Sequence, residues 1–216
     1  MPAEPLMSVA MTWTIPNTLT LLRLLAAPGV AVMFLYFNRP WADWLALALF
    51  IGAAATDWFD GYLARLWKQE SRFGAMLDPI ADKAMVLIAL LVITGLSGMN
   101  PWILLPATLI FFRETFVSGL REFLGATAGT LKVTKLAKWK TTAQMVAIGI
   151  LFLGTGLDFL ERGRGPTVGG LARLSDGPAG WATFVGIVLL WIAAGLTLVT
   201  GWEYFRKSLP HLKDPK

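Results

Sequence analysis

The chain has 216 residues, is 56% hydrophobic and only 15% charged, against about 25% charged in a soluble domain. It holds no cysteine, which excludes a disulfide framework and thiolate chemistry. The net charge of +5 sits in loops between apolar runs, a membrane pattern rather than a nucleic-acid-binding one, and the ten Trp suit a membrane–water interface.

No basic residue precedes the first apolar run, which argues against a cleaved leader. Pro5–Pro16, with Trp13, reads as a short amphipathic piece in the interface, so residues 1–18 precede the first span. Six spanning helices are predicted at about 19–37, 42–66, 79–99, 101–122, 141–159 and 181–204. Asn17 or Thr18 is a good cap for the first, and Asn38-Arg39-Pro40 separates it from the second. Pro79 fits the first turn of the third helix, with Asp78 before it as a candidate cap. Gly98-Met99-Asn100-Pro101 is a tight turn, and Gly125–Gly129 begins the fourth–fifth connection. Glu161–Gly180 is a loop rich in Gly and Pro, to which no role is assigned.

Ala84–Phe112, Thr141–Leu157 and Gly177–Trp202 contain no charged residue. Each is near or beyond the roughly 20 residues that span a bilayer. No internal repeat or linker interrupts the chain, so the expected architecture is all-α, integral to the membrane, and a single domain over 1–216. The one histidine, His211, falls in the charged tail and reads as a solvated residue.

Lysine and arginine set the orientation. Arg65, Lys68, Arg72, Arg121, Lys132, Lys135, Lys138, Lys140, Arg206, Lys207, Lys213 and Lys216 fall on one side, and Arg39, Arg162, Arg164 and Arg173 on the other. Twelve against four places both termini in the cytoplasm. Three further cations, Arg23, Lys83 and Arg113, lie within predicted helices. Arg23, near a helix start, can snorkel to the interface, whereas Arg113 has half a helix on either side and should point into the bundle.

The densest chemistry lies between residues 57 and 82: Asp57-x2-Asp60-Gly61-x2-Ala64-Arg65-x8-Gly74-x3-Asp78-x3-Asp82. A carboxylate near a bilayer centre costs about 2.5–3.5 kcal/mol on insertion scales. Asp57, Asp60, Gly61 and Ala64 share one helical face, and Asp78 and Asp82 form an i, i+4 pair on the next helix. Four carboxylates brought together in low dielectric must protonate or bind cations. Hard oxygen ligands suit Mg²⁺ or Mn²⁺, and two ions about 3.5–4 Å apart could be bridged by such a set. Gly61 and Ala64 leave room beside the acids, Gly74 allows close backbone approach, and Arg65 offers a fixed cation for a phosphate.

All eight fixed positions match the signature of the CDP-alcohol phosphotransferase family, which the chain resembles. The resemblance implies transfer of a phosphatidyl group from a CDP-linked lipid to an alcohol, with release of CMP. It implies that Asp57, Asp60, Asp78 and Asp82 hold two metal ions and that Asp82 is also the base. It implies that Gly61, Ala64, Arg65, Ser71 and Gly74 form the CDP side of the site. Spacing alone leaves open which aspartate is the base.

A second match narrows the acceptor. Ile15-Pro16-Asn17-Thr18-Leu19-Thr20-Leu21-Leu22-Arg23 resembles the N-terminal segment of the family branch that uses sn-glycerol 3-phosphate, with Asn17 to Thr20 on the CDP-lipid. Arg113-Glu114-x3-Ser118-Gly119-Leu120-Arg121-Glu122 and Lys138-Trp139-Lys140-Thr141 resemble the same branch. An acceptor carrying its own phosphate needs a cationic pocket beside the metals, and Arg113, Arg121, Lys138 and Lys140 are available for it. The implied partners are CDP-diacylglycerol, sn-glycerol 3-phosphate, membrane lipids and a second copy of the chain, with no nucleic acid. The implied place is a bacterial cytoplasmic membrane, with the site facing the cytoplasm. The nearest rival is the same chemistry on inositol phosphate, inositol or serine. A divalent-cation transporter is a remote one, since internal repeats and helices broken at mid-bilayer are missing.

Overall fold

A computed structural model describes residues 14–67, 71–130, 135–162 and 177–212. For 57–67 and a few other positions, Lys138 among them, only the backbone is described. Six long helices follow in order: α1 (Ile15–Tyr36), α2 (Trp41–Trp67), α3 (Arg72–Leu96), α4 (Pro101–Leu124), α5 (Lys135–Arg162) and α6 (Pro178–Ser208). Short 3-10 turns follow α4 (Gly125–Thr130) and α6 (Leu209–His211). α1 packs on α2 and α3, α6 on α4 and α5, and α5 on α2 and α3 as well.

The helix ends explain their own positions. Thr14 caps α1 by accepting from Asn17 N at 3.3 Å, so the helix starts four residues before the predicted 19, and neither Asn17 nor Thr18 is the cap. Asn100 caps α4 by accepting from Trp102 N at 3.0 Å, after a turn in which Gly98 and Met99 take φ of 64° and 62°. Gly125, with φ of 51°, ends α4. Glu161, at the end of α5, accepts from Ala179 N at 3.0 Å and so caps α6.

The third helix departs most from expectation. It begins at Arg72, with Ser71 Oγ accepting from Gly74 N at 2.9 Å. Pro79 therefore lies inside α3, and Asp78 is not a cap. Proline is tolerated within membrane helices because neighbouring groups re-satisfy the freed carbonyl. Pro28 and Pro106 lie inside α1 and α4 in the same way. The consequence is functional: Asp78 stands in the second turn of α3, on the same face as Asp82.

Small residues line much of the interior beside larger ones such as Phe50, Met85 and Ile148. Ala27, Ala42, Ala46, Ala81, Ala89, Ala147 and Ala193 are all fully buried. A Cβ on Gly186 would stand 2.7 Å from Leu151, so α5 and α6 approach closely there. Phe152 fills the centre, 5.8 Å from the Phe50 ring and 6.2 Å from that of Phe34. Large apolar side chains face outward: Leu35, Leu91, Phe112 and Phe123 are all exposed. Small residues at helix contacts and apolar side chains facing outward are the packing expected where lipid is the solvent. Among the described residues, five helices are long and apolar enough to cross a membrane, and α2 adds a shorter apolar stretch, Trp41–Thr56. The chain is thus all-helical, in keeping with an integral membrane protein.

At the end of the bundle where α1 finishes, Arg39 closes the α1–α2 turn. It pairs with the fully buried Asp43, donates to Thr155 O at 3.2 Å, and lies over the rings of Phe34 and Phe159. This ties α1, α2 and α5 together and leaves the opposite end for the aspartates.

Candidate active site

α1 presents Asn17, Thr20 and Arg23 along one face, and all three are buried. Each meets a polar partner from Ser71 or α3. Ser71 Oγ donates to Asn17 Oδ1 at 2.7 Å, Thr20 Oγ1 donates to Asp78 Oδ1 at 2.7 Å, and Arg23 Nη1 donates to Asp82 Oδ1 at 2.7 Å. The ladder satisfies buried polar groups that would otherwise be costly in an apolar bundle. Arg23 does not snorkel to the interface. Its side chain is 1% exposed, while that of Asp82 is 39% exposed. The cation is sealed behind the carboxylate, and the carboxylate faces outward into the site.

Gly74 is required by this packing. A Cβ there would stand 2.7 Å from Asn17 Oδ1 and 3.2 Å from Ser71 Oγ. Its small size thus admits Asn17, a contact that the sequence pattern could not reveal.

Asp57, Asp60, Gly61, Ala64 and Arg65 lie on α2, but their side chains fall outside the described residues, as does that of Lys138. Among the described residues no three potential metal ligands gather at one point. Asp78 and Asp82 are half of the expected four-carboxylate set, and each has one oxygen oriented by a donor from α1. Such outer partners orient metal-binding carboxylates, so these residues fit that task.

A second polar cluster starts from the next residue of α3, Lys83. Lys83 Nζ donates to Ser118 Oγ at 2.5 Å. Glu114, buried on α4, accepts at Oε1 from Arg113 Nη1 at 3.0 Å and from Lys140 Nζ at 2.5 Å. Arg113 Nη2 also donates to Thr200 Oγ1 at 3.3 Å on α6. Gly201 makes room for this arginine: a Cβ there would stand 2.8 Å from Arg113 Cγ. Arg121 lies over the Tyr204 ring, 5.2 Å from its centroid. Among the described residues, Arg113 Nε and the Tyr204 hydroxyl have no hydrogen-bond partner.

Arg113 and Lys140, from different helices, therefore meet on one acid, and Arg121 stands on the same helix as Arg113. Sequence reasoning placed Lys83 within a helix and Glu114 within the Arg113–Glu122 motif without giving either a part in the site, and it did not single out Tyr204. A lone acid beside Arg113 in an apolar helix was the available signal for Glu114. Nothing in the pattern marked Tyr204.

Comparison with known proteins identifies the family. A model of the CDP-alcohol phosphatidyltransferase family matches residues 13–199. A Cereibacter sphaeroides protein named CDP-diacylglycerol–glycerol-3-phosphate 3-phosphatidyltransferase is 70% identical, over 95% of this chain and 100% of its own. Proteins of the same name from Rickettsia bellii and Escherichia coli are 40% and 37% identical, over 89% and 94% of this chain and 93% and 100% of theirs.

Proposed function

The chain belongs to the CDP-alcohol phosphatidyltransferase family, and from that premise we propose that it transfers the phosphatidyl group of CDP-diacylglycerol to sn-glycerol 3-phosphate. The products are phosphatidylglycerol phosphate and CMP. The observation that carries the reading is that one helix, α3, supplies both polar groups: Asp78 and Asp82 held by α1, and Lys83, which donates to Ser118 on the helix of Arg113 and Glu114. The name carried by relatives up to 70% identical supports the same acceptor.

In this reading Asp57, Asp60, Asp78 and Asp82 hold two Mg²⁺ or Mn²⁺ ions. When bound, these ions neutralise the diphosphate and favour in-line displacement. Asn17, Thr20, Gly61, Ala64, Arg65, Ser71 and Gly74 line the CDP-lipid side. Arg113, Arg121, Lys138 and Lys140, with Lys83, hold the phosphate of the acceptor. The free hydroxyl oxygen of the acceptor attacks the phosphorus that bears diacylglycerol. The bond to CMP breaks, and the hydroxyl proton passes to Asp82. The protein spans a bacterial cytoplasmic membrane six times as a single domain, with both termini and the site on the cytoplasmic side, and it works as a homodimer.

The test is CMP release by the purified protein. Release should require CDP-diacylglycerol, Mg²⁺ or Mn²⁺ and glycerol 3-phosphate, and should stop with a chelator. Faster release with inositol phosphate, inositol or serine would overturn the acceptor assignment, and release undiminished by chelation would overturn the metals.

A further inference from the structure

Lys140 and Gln144 stand one turn apart on α5, and Thr197 and Gly201 one turn apart on α6. Gln144 is 2% exposed and donates from Nε2 to Thr197 Oγ1 at 3.0 Å; Thr197 is fully buried. The Thr197 hydroxyl itself donates to Ala193 O at 2.6 Å, so its oxygen is left to accept. Thr200 repeats the arrangement one turn on. Its hydroxyl faces Leu196 O at 2.8 Å and Thr197 O at 3.1 Å, and its oxygen accepts from Arg113 Nη2 at 3.3 Å. α6 is therefore tied to α5 by Gln144 and to α4 by Arg113 at successive turns. These ties lie beside the point where Lys140 from α5 and Arg113 from α4 converge on Glu114.

In lipid no hydrophobic driving force adds to helix association, which rests on close packing and interhelical hydrogen bonds. A hydrogen bond between two buried groups has one register, and breaking it leaves both unsatisfied in low dielectric.

We propose that Gln144 and Thr197 are positioning residues for the acceptor phosphate: their hydrogen bond sets the register of α5 on α6, and with it the height of Lys140 relative to Arg113. The proposal rests on the acceptor-site reading above. Neither side chain touches the acceptor; both act through Lys140.

The test uses the full chain in detergent. Thr197→Val keeps the shape and removes the accepting oxygen, Thr197→Ser keeps the oxygen, and Gln144→Leu removes the donor. Affinity for inorganic phosphate should fall about ten-fold in T197V and Q144L, since small displacements of charged ligands are costly, while T197S stays at the wild-type value. The KM for glycerol 3-phosphate should rise by the same factor, with that for CDP-diacylglycerol unmoved. Unchanged phosphate affinity in T197V overturns the proposal, as does a parallel rise of both KM values, which marks general loosening. If Q144L does not fold, the comparison of T197V with T197S decides. Phosphate binding that responds to T197V in a wild-type background releasing no CMP from glycerol 3-phosphate would overturn the acceptor reading and uphold the positioning role.

Discussion

Arg23 and Asp82 meet at 2.7 Å with opposite exposure: the guanidinium is sealed in the bundle and the carboxylate opens to the site. A buried cation that cannot reach water holds the acid from behind and fixes its direction. Outer partners of metal-binding groups are worth about 10–100-fold in metal affinity. Arg23→Leu should therefore raise the Mg²⁺ concentration needed for half-maximal activity by about ten-fold or more. Arg23→Lys, which keeps the charge, should recover part of the loss. A metal titration of CMP release checks this, and an unchanged titration midpoint in R23L would separate Arg23 from the metal site.

Asp82→Asn keeps the shape and one acceptor oxygen for Arg23 but removes the carboxylate that the proposed mechanism uses as base. Turnover should fall by about 10²–10⁴-fold, the range for loss of a general base. Binding of CDP-diacylglycerol should remain measurable by equilibrium titration. Near-normal turnover would take Asp82 out of the base role.

The apolar runs and their breaks were legible because a spanning helix needs length and a Gly, Pro or Asn turn needs little context. Asp78 and Asp82 were legible as a same-face pair because their spacing is that of a helix, while the side chains of Asp57 and Asp60 lie outside the described residues. The start of α3 was misread because Pro79 is an N-terminal signal in water, whereas the Ser71 cap and the membrane setting allow it mid-helix. The pairing of α1 with α3 was not legible at all. Asn17, Thr20 and Arg23 are spaced for one face, but which acid each would meet depends on how far one helix slides along the other. The same holds for Lys140, which meets Arg113 on Glu114, 26 residues before it in the chain.

Gly74 offers a test of the α1–α3 ladder. In Gly74→Ala the new Cβ would press on Asn17 Oδ1 from 2.7 Å and on Ser71 Oγ from 3.2 Å. Both atoms are side-chain ends held in hydrogen bonds, Ser71 Oγ donating to Asn17 Oδ1 and accepting from Gly74 N, so the ladder must shift. Overpacking of this kind costs about 1–3 kcal/mol. The midpoint of thermal unfolding in detergent should fall, and the KM for CDP-diacylglycerol should rise more than that for glycerol 3-phosphate. A rise confined to glycerol 3-phosphate would move Asn17 and Gly74 out of the lipid-nucleotide side.

Arg113 is held from three directions, by Glu114, by Thr200 and by the space at Gly201. Two variants separate its charge from its position. Arg113→Ala removes the charge, and the KM for glycerol 3-phosphate should rise by about ten-fold or more, in line with the 1.5–3 kcal/mol of a charge-assisted hydrogen bond. The KM for CDP-diacylglycerol should change much less. Gly201→Ala keeps the charge but pushes on the arginine stem at Cγ and Nε, 2.8 Å and 3.1 Å from the added carbon. It should reproduce the selective rise in smaller measure. Steady-state kinetics with each substrate varied in turn gives both numbers. Equal effects on the two substrates in both variants would make Arg113 a strut between α4 and α6 rather than a ligand of the acceptor phosphate.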